Sequence, residues 1–230
     1  MIELKNVRCK FIFNDGLNLK INRGEFVVII GDNGAGKSSL INLISGNLFC
    51  LSGQILIDGM DFSNKKNFER SKYISHVFQD FRAGTNGLMS VRENLSLALN
   101  KNNISLFKRA IKKENDDLFK NMIDLDLNKK VDELSGGQRQ KLSLIMAIIN
   151  KPKILLLDEH TAALDPVAAK EIMEFTSKII KENDLTALMV THNLKMSVEY
   201  GDRLIFMRDG KIKFDIKGDR NLEDIVKMFE

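Results

Sequence analysis

Cysteine is nearly absent from this chain of 230 residues: only Cys9 and Cys50 occur, far apart in sequence and without metal-ligand spacing around them. That excludes a disulfide scaffold and a zinc ribbon, and it suits two reduced thiols in a cytosolic protein. Long apolar runs are missing as well. No stretch approaches the roughly eighteen apolar residues of a membrane span, and Met1-Ile2-Glu3-Leu4-Lys5 lacks the apolar segment of a signal peptide. The expected location is therefore the cytoplasm, and any work at a membrane requires docking on a partner. A large excess of charge of one sign is also lacking. The net charge of +4 fits a nucleotide site or a membrane-surface location and is too weak to argue for nucleic acid. There is no internal repeat and no low-complexity linker. With 43% hydrophobic and 29% charged residues, disorder is not indicated, and the chain reads as one compact unit or two closely joined lobes.

What is present is organised around residues 31 to 39, Gly-Asp-Asn-Gly-Ala-Gly-Lys-Ser-Ser, which follow the apolar run Phe26 to Ile30 and open onto the helical pattern Leu40, Ile41, Leu43, Ile44. The spacing G-x-x-x-x-G-K-S in a strand–loop–helix context is that of a phosphate loop. Gly31, Gly34 and Gly36 let successive N–H groups curl around the phosphates, Lys37 reaches the β- and γ-phosphates, and Ser38 offers a hydroxyl to Mg²⁺. The following helix points its N-terminal amides at the anion.

Upstream, alternation at Ile2, Leu4 and at Leu17, Leu19, Ile21, broken by the turn signal Asn14-Asp15-Gly16, predicts a β-hairpin of a small antiparallel sheet. Short strands are expected at 54–58 and 73–78, the latter ending at Gln79. From 80 to 150 helical periodicity takes over, in 91–99, 104–127 and 138–149, which predicts a helical lobe inserted into an α/β core. The core would comprise 1–79 and 151–230, and the whole chain 1–230 would be a single domain. Residues 101–113 carry basic side chains and no acid, and read either as a solvated helix face or as a patch for lipid headgroups or a partner. Beyond them Ile154 to Asp158 and Thr186 to Val190 have the all-apolar character of buried parallel strands. Pro166 suits a first helical turn, 204–207 and 212–214 read as a terminal hairpin, and the last dozen residues suit one short helix.

Asp158 and Glu159, behind their apolar run, are the expected partners of a phosphate loop. Asp158 would hold the metal, and Glu159 would orient the attacking water as general base. Gln79, a neutral amide at a strand end, could touch both metal and water. The adjacent acids Asp116-Asp117 lack such a context and read as surface charge. Leu134-Ser135-Gly136-Gly137-Gln138 opens a helix with Ser135 as N-cap, and its glycines allow close approach to an anion, which makes it a second phosphate cradle.

Taken together, Gly31 to Ser39, Gln79, the L-S-G-G-Q pentapeptide, Ile154 to Glu159, Ala163-Leu164-Asp165 and His192 resemble, in order and spacing, the ATP-binding cassette (ABC) ATPases over nearly the whole chain. The wider wording, with Val77 to Asp80, Gly84-Thr85 and the string DEHTAALDP at 158–166, is similar to the tryptophan/tyrosine-type importer ATP-binding subunits. The resemblance implies a P-loop NTPase, RecA-like core with an N-terminal antiparallel β-subdomain and an inserted helical subdomain. It implies ATP held by Gly31, Asn33, Gly34, Ala35, Gly36, Lys37, Ser38 and Ser39, and Mg²⁺ held by Ser38, Gln79 and Asp158. The catalytic set it implies is Glu159, the switch histidine His192 and Gln79. Ser135, Gly137 and Gln138 would contact the γ-phosphate held by a second copy in a head-to-tail dimer, and Gly136 and Asp165 are implied as further nucleotide-binding residues. The partners implied are that copy, a membrane permease on the inner face of the cell membrane and, indirectly, a substrate-binding protein. The alternative is a soluble cassette ATPase that remodels or assembles proteins without a permease. The stretch between Lys37 and Ser135 is too short for the coiled coil of a chromosome-organising cassette.

The chain also departs from the common pattern. His160 stands where the wider family usually has Pro; it is either structural or a source of pH dependence beside Glu159. Ser39 replaces the commoner Thr. The shortened segment before Gly31 leaves two candidates for stacking on adenine, Phe11 first and Phe13 second, and either could instead be sheet core.

Overall fold

A computed structural model describes residues 1–10, 12–99, 115–218, 221 and 225. Phe11, the basic segment 101–113 and nearly all of the last dozen residues lie outside them. The described chain forms two compact units, one of residues 1–76, 153–159 and 177–230, the other of 77–152 and 160–176.

The first unit holds two sheets. In the smaller, β1 (Ile2–Cys9) pairs antiparallel with β2 (Ile12–Ile21) and with β4 (Ser52–Ile57), which pairs with β5 (Met60–Asp61). The larger is built on β3 (Phe26–Gly31), flanked in parallel by β8 (Thr186–Val190) and β9 (Arg203–Arg208). Beyond β8 lie β7 (Ile154–Asp158), also parallel, and β6 (Ile74–Val77); beyond β9 lies the antiparallel β10 (Lys211–Lys217). Every residue of β8 and all of Phe26 to Ile30 are buried, because a parallel strand inside such a sheet has no face left for water. One apolar cluster joins the small sheet (Ile2, Leu4, Ile55), the helix α1 (Lys37–Ser45, through Leu40, Ile41, Leu43, Ile44) and one face of the large sheet (Val27, Ile29, Leu156, Leu188). Arg70, in the short helix α2 (Asn67–Arg70), is fully buried. Its guanidinium donates to the carbonyls of Leu43 and Ile44 at the C-terminal end of α1 and to those of Phe62 and Lys65, so the cation is compensated by helix-end dipoles.

The expected hairpin exists, but its turn is not Asn14-Asp15-Gly16. Cys9 pairs with Ile12, so the strands are already paired ahead of the Asn-Asp-Gly triplet, which lies within β2. There the register shifts twice, Gly16 has φ +86°, and a Cβ on it would collide with the carboxamide of Asn6. Turn-forming residues satisfy the same backbone demand in a bulge as in a hairpin, which local sequence does not distinguish.

The second unit contains α3 (Val91–Leu99), α4 (Asp116–Met122), α5 (Gly136–Ile148) and residues 166–176 of α6 (Pro166–Glu182), whose end belongs to the first unit. Asp116 is not a free surface charge. Arg92 grips it with Nε and Nη2 at 2.7 and 2.8 Å, tying α3 to the first turn of α4. The Gly87 carbonyl accepts a hydrogen bond from the Asp132 N–H, and the buried Asn94 carboxamide holds both backbone polar groups of Asn86. In the first unit, α7 (Leu194–Tyr200) follows β8.

Asp58 pins four chain segments of the first unit. Its carboxylate accepts from Lys153 Nζ at 2.8 Å, the Met1 ammonium at 2.9 Å and Arg23 Nε at 2.8 Å. These partners, Lys153 foremost, hold its pKa far below the usual carboxylate range against the opposing effect of burial. Its φ of +50° is one that Asn also tolerates. Asp58→Asn therefore removes charge without backbone strain and should cost about 1–2 kcal/mol at neutral pH, since two of the cations are solvent-screened. A depressed carboxylate pKa stabilises the fold above the unfolded value, and this is lost as pH falls towards the folded one. Urea melts should show the wild-type advantage at pH 7 shrinking progressively below about pH 4.

Candidate functional site

The C-terminal ends of β3, β8 and β7 are in register: Ile29 pairs with Val190, and Val190 with Asp158. The loops that leave these three strands therefore converge. After β3 comes the loop ending at Gly36, which caps α1 with φ +97°; a Cβ there would come within 2.9 Å of Ile12 and 3.1 Å of Phe13. Gly31 is fixed by its neighbour instead, since a Cβ would strike the Met207 carbonyl oxygen of β9. Gly34 has open space around it, and only its φ of +79° calls for glycine. No side chain caps the first turn of α1, so its amides face outward for an anion. Ser38 and Asn33 are exposed, Ala35 is buried and Ser39 is half-buried.

Lys37 is only 6% exposed, and its Nζ donates to the carbonyls of Gly31 (2.7 Å) and Asp32 (2.9 Å). Burial lowers its pKa, and the negative charges of Glu159, Asp32 and Asp158 work in the other direction. Asp158, at the end of β7, responds in the opposite sense: burial, then the adjacent Glu159, raises its pKa, and Lys37 lowers it. Glu159 sits at φ +47° with its N–H donated to Val190 O at 2.9 Å. His192 follows β8 in a turn where Thr191 Oγ1 accepts from the Asn193 N–H and Asn193 Oδ1 accepts from the Met196 N–H to cap α7. That turn delivers His192 Nε2 to 2.7 Å from Glu159 Oε1. A carboxylate can only accept, so Nε2 carries the proton. A groove of about 680 Å³ adjoins the loop at Gly34, lined by Ile12, Phe13, Asp15 and Lys211 among others. Phe13, though it lines this groove, is 3% exposed and packed into the core under Gly36.

Ser38 and Asp158, the first-unit residues that the resemblance assigns to a metal, offer oxygen donors alone, a hydroxyl and a carboxylate. Among the described residues no group of three or more His, Cys, Asp or Glu side chains could hold an ion. That donor set fits Mg²⁺, which binds through one or two protein oxygens and takes the rest of its shell from water and phosphate.

The remaining candidates belong to the second unit. Gln79 is exposed. Ser135 Oγ accepts from the Gln138 N–H, and Gln138 Oε1 accepts from the Ser135 N–H at 3.0 Å, a capping box at the start of α5. Within the unit a Cβ on Gly136 would press on Leu164 at 3.1 Å, and one on Gly137 would lie 3.7 Å from Ala168. Asp165 Oδ1 accepts from the N–H groups of Val167 and Ala168 and so caps α6. His160 is 2% exposed, with Nε2 at 3.2 Å from Thr176 Oγ1. That hydroxyl already donates to Ile172 O at 2.7 Å, so the imidazole Nε2 is the donor. Burial pushes the ring's pKa down to about 4, which makes His160 a neutral structural residue at physiological pH. Sequence reasoning missed Arg208, which pairs with Asp32 of the loop, and the Thr191 and Asn193 turn that aims His192; only the short polar run Thr191-His192-Asn193 offered a signal for the latter.

The described helices include none long and apolar enough to cross a membrane. The ABC transporter family profile matches residues 14–162. A tyrosine transport ATP-binding protein of Clostridioides difficile is 46% identical over the whole of this chain and 99% of its own length. A phosphonates import ATP-binding protein of Halalkalibacterium halodurans is 33% identical across 94% of this chain and 88% of its own. Among solved structures, a dimeric post-hydrolysis ATP-binding cassette with ADP and Pi superposes with a TM-score of 0.76 at 30% identity, covering 94% of this chain and 98% of its own. The CbiO1 cassette of Clostridium perfringens gives 0.81 at 29% identity, covering 98% and 90%. With a glycine-bent loop, a buried lysine and two carboxylates meeting at the ends of parallel strands, and with these relatives over its full length, the chain belongs to the ABC transporter family, as an ATP-hydrolysing cassette of the P-loop NTPase fold.

Proposed function

We propose that this chain is the ATPase subunit of an importer for a small, amino-acid-like solute, and that two copies close head to tail on two ATP molecules to drive a membrane permease. The observation that carries the hydrolytic part is the Glu159–His192 contact beside Lys37 and Asp158. The tyrosine transport relative supports the choice of solute, and the dimeric cassette supports the assembly. A substrate-binding protein outside the membrane is the expected source of the cargo.

In this reading the loop amides of Gly31, Asn33, Gly34, Ala35 and Gly36, with Ser38 and Ser39 at the helix start, hold the phosphates. Lys37 exchanges its two carbonyl partners for phosphate oxygens. Ser38, Asp158 and Gln79 would hold Mg²⁺, which when bound would supply positive charge against the charge that develops on the phosphates. Glu159 orients a water for in-line attack on the γ-phosphorus and takes its proton as the bond to the bridging oxygen breaks, giving ADP and phosphate. His192, already hydrogen-bonded to Glu159, holds that carboxylate and can turn its Nε2 proton to the γ-phosphate. Ser135, Gly136, Gly137 and Gln138 of the other copy cap that phosphate, with Asp165 fixing the adjoining helix, so each site is complete only in the dimer. Base stacking falls to Phe11, because Phe13 belongs to the core.

The permease is proposed to reach the second unit at residues 81–88. A cleft of about 200 Å³ there is lined by Arg82, Thr85, Leu88, Asp132 and Arg139, with Leu88 80% exposed. An apolar side chain left this open beside charged residues of both signs suits a short amphipathic helix.

Three outcomes test this reading. Glu159→Gln should slow hydrolysis by ~10²–10⁴-fold while leaving the phosphate ligands intact, and should trap a dimer with Mg-ATP in light scattering; a monomer that hydrolyses at the parental rate refutes the assignment. Phe11→Ala should weaken ATP binding by ~1 kcal/mol, the scale of base stacking, whereas Phe13→Ala should chiefly lower stability, by ~3 kcal/mol. Fluorescent-analogue titration and thermal melts separate the two. Leu88→Asp should abolish recovery of a multispan protein from detergent-solubilised membranes. Equal recovery with wild type excludes this docking site, and no recovery with either favours the permease-free cassette.

A further inference from the structure

Asp32 stands inside the phosphate loop, between Gly31 and Asn33, where a carboxylate opposes the loop's own ligand. Its carbonyl accepts from Lys37 Nζ at 2.9 Å, and its charge is among those felt by that ammonium. A loop bent to gather polyphosphate thus carries a fixed negative charge within reach of its lysine. The partner of that charge comes from elsewhere in the chain. Gly31 pairs with Met207 across the β3–β9 ladder, so the next residues on the two strands, Asp32 and Arg208, fall side by side. Arg208 Nε donates to Asp32 Oδ2 at 2.7 Å. Its guanidinium carbon lies 5.2 Å from the ring centre of Phe206, two residues earlier on the same face of β9, so the ring helps to hold the cation in place.

We propose that Arg208 is a positioning residue for nucleotide binding, which holds the Asp32 carboxylate away from Lys37 and the loop amides and cancels its repulsion of the phosphates. The inference rests on the reading of the loop as an ATP site. The side chains of Arg208 and Asp32 are 45% and 55% exposed, so the pair itself adds little to stability. A polyanionic ligand is different, because every additional charge it carries meets the same uncancelled carboxylate. Coulomb's law gives two signatures. The loss on removing Arg208 grows with the charge of the nucleotide, and it shrinks as salt screens the site. Removing the carboxylate along with the guanidinium takes away the cause and restores binding. A guanidinium that bound phosphate directly would show no such rescue.

The experiment is a titration of the full chain with fluorescent ATP and ADP analogues, at low and high salt, on wild type, Arg208→Gln, Asp32→Asn and the double variant. Arg208→Gln should weaken ATP binding by about three- to tenfold at low salt and ADP binding by less, with the difference narrowing at high salt. Its melting temperature should remain that of wild type. Asp32→Asn should bind ATP at least as tightly as wild type, and Asp32→Asn combined with Arg208→Gln should recover wild-type affinity. A double variant as weak as Arg208→Gln alone overturns the proposal by making Arg208 a direct ligand. Equal losses for ATP and ADP, independent of salt and accompanied by a lower melting temperature, overturn it in favour of a folding effect. A Lys37→Ala chain that binds ATP as wild type does would instead refute the ATP reading itself, an outcome the Arg208 variants do not produce.

Discussion

A lysine ammonium taken almost wholly out of water is the interaction on which the rest of this site depends. Burying a charge costs several kcal/mol unless it is paired and hydrogen-bonded, and Lys37 is compensated from two directions. The carbonyls of Gly31 and Asp32 can turn towards it only because the loop bends through backbone angles that side chains resist. Glu159 and Asp158 supply the opposite charge from another strand. The same lysine works against the rise that burial, and then the neighbouring Glu159, impose on the Asp158 pKa. The buried ammonium attracts both carboxylates although the carboxylates repel each other, and this attraction couples the loop and the helix that begins at Lys37 to the strand that carries the acids.

Strand register converts this electrostatic requirement into geometry. β3, β8 and β7 are covered on both faces and have apolar side chains at nearly every position, so a slip would bury polar groups with no partner. With Ile29, Val190 and Asp158 level, the chain leaves the sheet at Gly31, Thr191 and Glu159 on one side. The Thr191 N–H donated to Ile29 O and the Glu159 N–H donated to Val190 O continue the ladder one step past the strands. Only after this does the Thr191–Asn193 turn aim His192 at Glu159. Placement of the proposed catalytic groups is a property of the ladder's end, with the side chains set by it.

The same physics separates the parts that are legible in the sequence from those that are not. Strands β3, β7 and β8, helix α5 and Pro166 at the head of α6 are legible because burial on both faces and helix starts leave local patterns. The Asn14-Asp15-Gly16 triplet misleads, because a bulge and a hairpin turn ask the same of the backbone. Asp116 reads as surface charge because its partner Arg92 lies on a different helix. Asp58 with Lys153, Arg70 with the end of α1, and Arg208 with Asp32 share that character: each joins segments remote in sequence, and a single sequence carries no mark of such pairs. The His160 alternatives are resolved by burial and by one hydroxyl, that of Thr176, whose proton is already committed to Ile172.

The capping box at the head of α5 shows how a cap can also serve as a binding surface. Ser135 takes part in it through its oxygen, accepting from the Gln138 N–H; Gln138 takes part through its carbonyl oxygen, accepting from the Ser135 N–H. Both side chains therefore commit acceptors, and the groups the cap does not use are the Ser135 hydroxyl proton and the Gln138 amide protons, which are donors. A helix N-terminus already favours negative charge. The box fixes two side chains with the remaining donors of matching polarity, at no cost to the helix start. An aspartate cap at position 135 would secure α5 equally well and present a carboxylate where an anion is to be held. The choice of serine with glutamine three residues on is thus one that helix stability alone does not dictate and that suits the anion-holding role proposed for this cap.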